Sequence, residues 1–167
     1  MKKNLIPLFI LSAITIILMA CPYASTVPID SPSVKVQNTM MGKWVKAGDE
    51  SNVNPNYFVI TKQDDFKYKI SKNEYNSYDS AYKETIYISH ISKIDNNEFM
   101  NMQQDGTGDY YLYKIVLSQN DFSLFEITDN IDEKFNTSVE LKAFIKKNMN
   151  LSFFYNKDEE KYLRGGK

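Results

Sequence analysis

The sequence predicts a mainly β protein, an antiparallel meander of about eight strands with one C-terminal helix before the last strand. Three observations support this fold class. Aromatic residues make up 14% of the chain and recur in short segments where apolar and polar residues alternate, as in half-buried strands. Clusters of Asp, Asn and Gly separate these segments, and such short turns join antiparallel neighbours. A capping-box pattern at residues 137–140 then opens one helical stretch.

The predicted elements follow one another along the chain. Phe66, Tyr68 and Ile70 alternate with polar residues, so their side chains are expected on one face of a strand. We predict strands at residues 43–46, 56–61, 66–71, 84–94, 98–103, 110–118 and 122–128, a helix from residue 138 through 149, a last strand at residues 151–155 and a solvated turn at residues 157–160. Seven strands, a helix and an eighth strand suit a sheet that closes on itself.

Composition limits the class of function. A chain of 167 residues suits one domain, and 20 basic against 21 acidic residues do not give the positive field of a nucleic-acid binder. One Cys and one His exclude a disulfide framework and a Cys/His zinc cluster. We therefore expect no nucleic-acid partner, no metal and no cofactor.

The N-terminus has the layout of a signal peptide. Lys2 and Lys3 precede an uncharged, largely apolar run at residues 5–20, and a helix of that length would span about 24 Å, less than the roughly 30 Å of a bilayer core. The run ends in Leu-Met-Ala-Cys, which resembles the lipobox of bacterial lipoproteins. That resemblance implies acyl chains, such as palmitate, on Cys21 and a lipid anchor in the membrane.

The same resemblance predicts where the protein resides. Pro22 rather than Asp follows the Cys, which favours the outer membrane, facing the periplasm or the cell surface, over the inner membrane. We divide the chain into a signal peptide (1–20), a lipidated Cys with a flexible tether rich in Pro, Ser and Thr (21–40), and a single β-rich domain (41–167).

Two motifs in the domain resemble those of the lipocalin and wider calycin group. Gly42 and Trp44 match the Gly-x-Trp that opens the first barrel strand of that family. Asp109 begins an Asp-Tyr-Tyr-Leu-Tyr stretch that resembles its second motif, whereas the only Arg, Arg164, is not near the helix start, where the family's third motif needs one. The resemblance implies a ligand-binding β-barrel; another small antiparallel β fold with a helix is the alternative.

Aromatic residues are the candidate ligand contacts. In a barrel, Phe66, Tyr68, Tyr111 and Tyr113 would lie on inward faces and meet a ligand that enters the mouth. Tyr110 would face the opposite way, where its ring could stack on a sugar or a base.

We expect no catalytic residue. His90 shares a strand face with Ile86 and Ile88, and a hydrogen-bonded histidine in a half-buried strand explains it. Residues 105–109 carry two Asp separated by Gly, which predicts a hairpin turn rather than a calcium site.

Two functions follow from these expectations, and a third, enzymatic function is disfavoured by them. The first is a lipid-anchored cell-envelope lipoprotein whose barrel binds a small apolar ligand or an envelope partner, without catalysis. The alternative is a structural or interaction module, such as an assembly factor or inhibitor, with a filled core and no ligand cavity. The third is a hydrolase that uses His90 and an acidic partner.

Overall fold

The computed structural model describes residues 23–128, 131–156 and 159–165; Cys21 and the predicted signal peptide lie outside these residues. The elements, in order, are β1 (Ala24–Ser25), a 3₁₀ turn (Asn38–Met40), β2 (Gly42–Lys46), β3 (Tyr57–Lys62), β4 (Tyr68–Asn76), β5 (Ala81–Ile94), β6 (Asn97–Gln104), β7 (Tyr110–Leu117), β8 (Asp121–Glu126), α1 (Ser138–Asn148) and β9 (Glu160–Arg164).

Strands β2 to β9 form a closed, eight-stranded antiparallel barrel. Each strand from β2 to β8 pairs with the next, and β9 pairs with both β8 and β2, which closes the sheet. The predicted fold class, including one helix before the last strand, is therefore confirmed. Strand β1 is not one of the eight barrel strands; it pairs with Tyr110 and Tyr111 of β7.

The position of the last strand was predicted wrongly. Residues 151–155 form a turn after the helix, in which Phe153 is 70% exposed and only Phe154 is buried. Tyr155 makes one isolated bridge to Ile127. The closing strand is β9, which lies partly in the stretch that the charge pattern assigned to a solvated turn. Its buried Tyr162 faces the barrel interior, so the charged neighbours lie at the barrel ends and outside.

Two apolar cores lie on the two sides of the barrel wall. The inner core fills the barrel with side chains from its strands and one from the 3₁₀ turn, Met40; the strand residues are Trp44, Phe58, Ile60, Tyr68, Ile70, Ile91, Met100, Met102, Ile115, Phe122, Leu124 and Tyr162. The outer core covers β5, β6 and β7 from outside: Ile29, Ile94, Phe99, Leu112, Ile127, Leu141, Ile145, Met149 and Phe154. Strand β6 contributes to both, so it is buried on both faces.

The N-terminal part of the outer core is a segment expected to act as a tether. The structure places residues 23–36, here called the strap, against the barrel wall. Ile29 is fully buried, and its backbone N–H donates to Asn101 Oδ1 at 2.8 Å. Further along, the N–H of Val36 donates to the carbonyl of Asp65 at 3.0 Å. The strap is therefore part of the packed fold.

The helix covers the other part of the outer core. Thr137 caps its N-terminus, with the N–H of Glu140 donating to Thr137 Oγ1 at 3.3 Å, as the capping box predicts. Two lysines of the helix form ion pairs with the structure below it: Lys142 with Asp30 of the strap at 2.6 Å and Lys146 with Asp95 of the β5–β6 turn at 2.7 Å. These pairs fix the helix over the strap and the β5–β6 turn.

Candidate functional site

One end of the barrel is closed by the residues of the Gly-x-Trp motif. The indole N–H of Trp44 donates to the carbonyl of Met40 at 2.8 Å, and the guanidinium of Arg164 lies 4.2 Å from the centre of the indole ring. Arg164 also donates to the carbonyl of Thr39 at 2.5 Å. Gly42 has a φ of +123°, a conformation that L side chains rarely adopt. These motif residues therefore hold the closed end together.

Aromatic rings fill the middle of the barrel. The ring of Phe58 lies 4.5 Å from that of Tyr162, and Phe122 lies 5.0 Å from Tyr162 and 4.9 Å from Trp44. Tyr68, a predicted ligand contact, is 1% exposed and accepts a hydrogen bond from the backbone of Gln37 at 2.6 Å. Its side chain therefore belongs to this packed interior.

The other end of the barrel, here called the mouth, is lined by inward-facing charges. Lys46 pairs with Glu160 at 3.4 Å, and Lys72 with Glu74 at 3.0 Å. Burial lowers the pKa of Lys72, but the hydrogen bond and charge of Glu74 outweigh burial and raise the pKa overall. A cavity of about 50 Å³ lies among these residues, and its lining is Lys46, Asn56, Tyr57, Phe58, Lys72, Asn73, Glu74, Glu160 and Tyr162.

The predicted tyrosines of β7 divide between the two cores. Tyr111 and Tyr113 face the barrel interior, as the alternation predicts, whereas Tyr110 packs against the outer core. The hydroxyl of Tyr113 donates to Glu126 Oε1 at 3.2 Å. Burial, followed by the charges of Glu126 and Glu160, raises the pKa of Tyr113 well above its usual value, so this phenol stays protonated.

Phe66 does not lie on an inward face, so this part of the prediction is wrong. It belongs to the turn between β3 and β4, is 38% exposed, and its N–H donates to Asp64 Oδ1 at 2.8 Å. The Asp side chain fixes the turn, and the strand begins only at Tyr68. Phe66 lines a shallow surface depression with Pro32 of the strap.

A polar cluster around Asp30 joins the strap to the barrel and the helix. The Asp30 carboxylate accepts hydrogen bonds from the hydroxyl of Ser92 and from Lys142 Nζ. Its backbone carbonyl accepts from His90 Nε2 at 2.8 Å. The fully buried Asn101 donates to Ser92 Oγ at 2.9 Å and to the carbonyl of His90 at 3.3 Å. We call these five residues the strap cluster.

The strap cluster contains Asp, His and Ser, but not in a catalytic arrangement. The hydroxyl of Ser92 donates to the Asp30 carboxylate, whereas the imidazole of His90 meets the Asp30 carbonyl, so the hydrogen-bond chain from Ser through His to Asp that defines a catalytic triad is not formed. Burial is the main cause that lowers the pKa of His90, which keeps the ring neutral. Sequence reasoning singled out His90 but missed Asp30 and Asn101, whose roles depend on contacts distant in sequence.

An exposed tyrosine group lies at the tip of the β4–β5 hairpin, residues 74–84. The tip extends beyond the neighbouring strands, since β3 pairs with β4 only as far as Asn73. Tyr82 packs edge-on against Tyr57 at 5.3 Å and against Tyr75 at 5.4 Å, while Tyr78 is 97% exposed. Exposed aromatic groups of this kind are enriched at protein interfaces.

The turn at residues 105–109 is the expected hairpin turn. Gly106 has a φ of +81°, and the N–H of Thr107 donates to the carbonyl of Gln104 at 3.0 Å. Asp109, the first residue of the second motif, is exposed at the end of this turn. Within the described ranges, no group of three or more His, Cys, Asp or Glu side chains could hold a metal ion.

Comparisons with known proteins give no relative. No family model matches the chain, and neither a curated protein nor a solved structure matches it. Among the described residues, no helix is long and apolar enough to cross a membrane.

Proposed function

We propose that this protein is a lipid-anchored cell-envelope lipoprotein whose barrel is an interaction module without catalysis. It is anchored through Cys21, in the outer membrane, and binds an envelope protein with its outer surface. The proposal keeps the expected location and prefers the filled-core alternative over the carrier of a small apolar ligand.

The filled barrel interior carries this proposal. Its apolar half is occupied by aromatic rings packed edge-on and in stacks, with Trp44 fully buried and Phe122 1% exposed. The cavity at the mouth is about 50 Å³, whereas pockets for small organic ligands measure roughly 300 to 1,000 Å³. The mouth is also lined by paired charges. An apolar ligand bound there would remove water from these charges and offer them no hydrogen bond in return.

The hairpin tip is the surface that we assign to the partner. Tyr78 presents almost its whole side chain to solvent, and the Tyr57, Tyr75 and Tyr82 rings hold one another in place. Rigid tyrosines give contact area at a small cost in side-chain entropy. The hydroxyl of Tyr82 donates to the carbonyl of Pro55 at 3.1 Å, which ties the tip to the β2–β3 loop.

The core of the proposal is tested by native mass spectrometry. The protein is exposed to an extract of envelope lipids, purified gently, and compared with the denatured protein. For the chain from residue 22 onward, we expect the native mass to equal the mass of the denatured protein, with no ligand bound. A reproducible extra mass that leaves on denaturation would instead identify a ligand and refute the filled-core function.

The partner surface is tested by photo-crosslinking in intact cells. A photoreactive residue at Tyr78 should give a defined crosslinked band, while the same residue at Thr61, exposed on the outside of β3, serves as the matched control. Equal crosslinking at both positions, or none at Tyr78, would contradict the role of the hairpin tip.

The anchor has its own test. Labelled palmitate should enter the native protein and fail to enter a Cys21→Ala variant. Incorporation into the variant would remove the anchor from the proposal.

A further inference from the structure

We infer that the barrel lies directly against the bilayer that holds its lipid, with the wall around Tyr23 facing the membrane. This inference rests on the proposed lipidation of Cys21. It goes further, because a lipid anchor on a long tether would leave the domain free to turn in any direction.

The position of Tyr23 is the first step. Its side chain packs against the outer core, and its hydroxyl donates to the carbonyl of Glu133 at 3.3 Å. The next two residues, Ala24 and Ser25, pair with β7. The chain is therefore attached to the barrel wall from Tyr23 onward.

The length of chain before Tyr23 is the second step. Only Pro22 separates Tyr23 from Cys21, and two fully extended residues reach about 7 Å. A free tether over residues 22–40 would average about 25 Å as a coil. The short distance leaves no room for a gap between this wall and the headgroups.

Exposed apolar side chains in the turn at residues 151–155 are the third step. This turn lies on the same wall as Tyr23, because Tyr155 bridges to Ile127, which bonds to β7 next to the residue that pairs with Ala24. Phe154 and Tyr155 belong to the same outer core as Tyr23, and the neighbouring Phe153 is 70% exposed. Leu151, 40% exposed, lies in the same turn, because the N–H of Phe154 donates to its carbonyl at 3.1 Å. We call Tyr23, Leu151 and Phe153 the anchor face.

The chemistry of the anchor face indicates the kind of lipid surface. Phe and Leu side chains bury favourably at the boundary between headgroups and acyl chains. In the segment that Tyr23 contacts, Asp132 and Glu133 outnumber Lys134, so this segment offers no basic patch for anionic headgroups. The face therefore suits a zwitterionic bilayer, and its contact should change little with salt.

The experiment places a fluorescent label on a single added cysteine in the full, lipidated chain. Phe153→Cys carries the label on the anchor face. Thr61→Cys is the matched control, because β3 lies across the barrel from β7 and Thr61 is exposed there. The proteins are placed in phosphatidylcholine–phosphatidylethanolamine vesicles that contain a quencher on the upper acyl chain. Mass spectrometry of the N-terminal peptide records acylation of Cys21 in each sample.

We expect the lipid quencher to act at least about threefold more strongly at position 153 than at position 61. Insertion of a 20-residue Gly/Ser linker between Pro22 and Tyr23 should lower the quenching at position 153 towards that at position 61. Full quenching that persists with the linker would overturn the role of the short connection. Equal quenching at the two positions on an acylated chain would overturn the inference while the proposed anchor stands. An unmodified Cys21 would instead overturn the proposed anchor, and the inference with it.

Discussion

Replacing Asn101 with Ala should lower the free energy of unfolding by about 3 kcal/mol. Asn101 is fully buried and joins the strap to two strands of the barrel. Its Oδ1 accepts from the N–H of Ile29 at 2.8 Å, and its Nδ2 donates to Ser92 Oγ at 2.9 Å and to the carbonyl of His90 at 3.3 Å. An alanine breaks all three hydrogen bonds at once.

The magnitude follows from what the substitution leaves behind. Each of the three hydrogen bonds contributes about 1 kcal/mol net, and a buried N–H left without a partner, as at Ile29, costs about 1 to 3 kcal/mol. These effects overlap, so about 3 kcal/mol is the expected total, and Tm should fall by about 10 °C for a chain of this size.

Urea unfolding of the chain from residue 23 onward measures the change. Asn73→Ala is the matched control, because Asn73 also makes two amide hydrogen bonds, to Ser71, but is only half-buried on the outside of β4. We expect the control to cost less than about 0.5 kcal/mol. Proteolysis after Lys35 reports whether the strap has detached. A loss under about 1 kcal/mol at Asn101, or one equal to the control, would refute the strap cluster as a main source of stability.

Three further changes probe other parts of the fold. Burial lowers the pKa of His90 in the folded protein below its ordinary value near 6.5. The free energy of unfolding should therefore have its full value above about pH 6.5 and fall as the pH drops through the folded pKa. His90→Gln should flatten this fall in a series of thermal melts, and an unchanged slope would contradict the assignment. Ser89→Ala should raise the free energy of unfolding by about 1 kcal/mol, since the hydroxyl of this fully buried Ser has no hydrogen-bond partner among the described residues; a lower urea midpoint would count against it. Arg164→Lys should cost about 1 kcal/mol and shift the emission of Trp44, the only Trp, to longer wavelength, because the planar guanidinium covers the indole; an unchanged spectrum would show that this cover is dispensable.

Local patterns explain the parts of the fold that the sequence predicted well. Side chains alternate along a strand, so the burial of Tyr68 and Ile70 and the inward position of Tyr111 and Tyr113 follow from period two alone. The cap at Thr137 needs only four consecutive residues. Both signals depend only on residues that are close together in the sequence.

The errors come from contacts between distant parts of the chain. Residues 151–155 have the aromatic composition of a strand, but the sheet edge is occupied by β9, whose pairing with β2 joins Trp44 to Arg164 across the whole domain. The strap has the Pro and Ser content of a tether, yet Asp30 meets His90 and Lys142, which lie far along the chain. Composition does not record such pairings.

One signal for the strap was nevertheless present in β6. Phe99, Met100, Asn101 and Met102 are consecutive and all buried, whereas a strand with one solvent-facing side would alternate. A run of this kind requires cover on both faces, and the strap and α1 supply it on the outside of β5 to β7. The opposite wall, β2 to β4, keeps its alternation, and none of its outward residues is buried. Since the first wall also carries Tyr23, the proposed anchor on Cys21 would turn this wall to the membrane, and the hairpin tip beside the uncovered wall would remain open to the proposed protein partner.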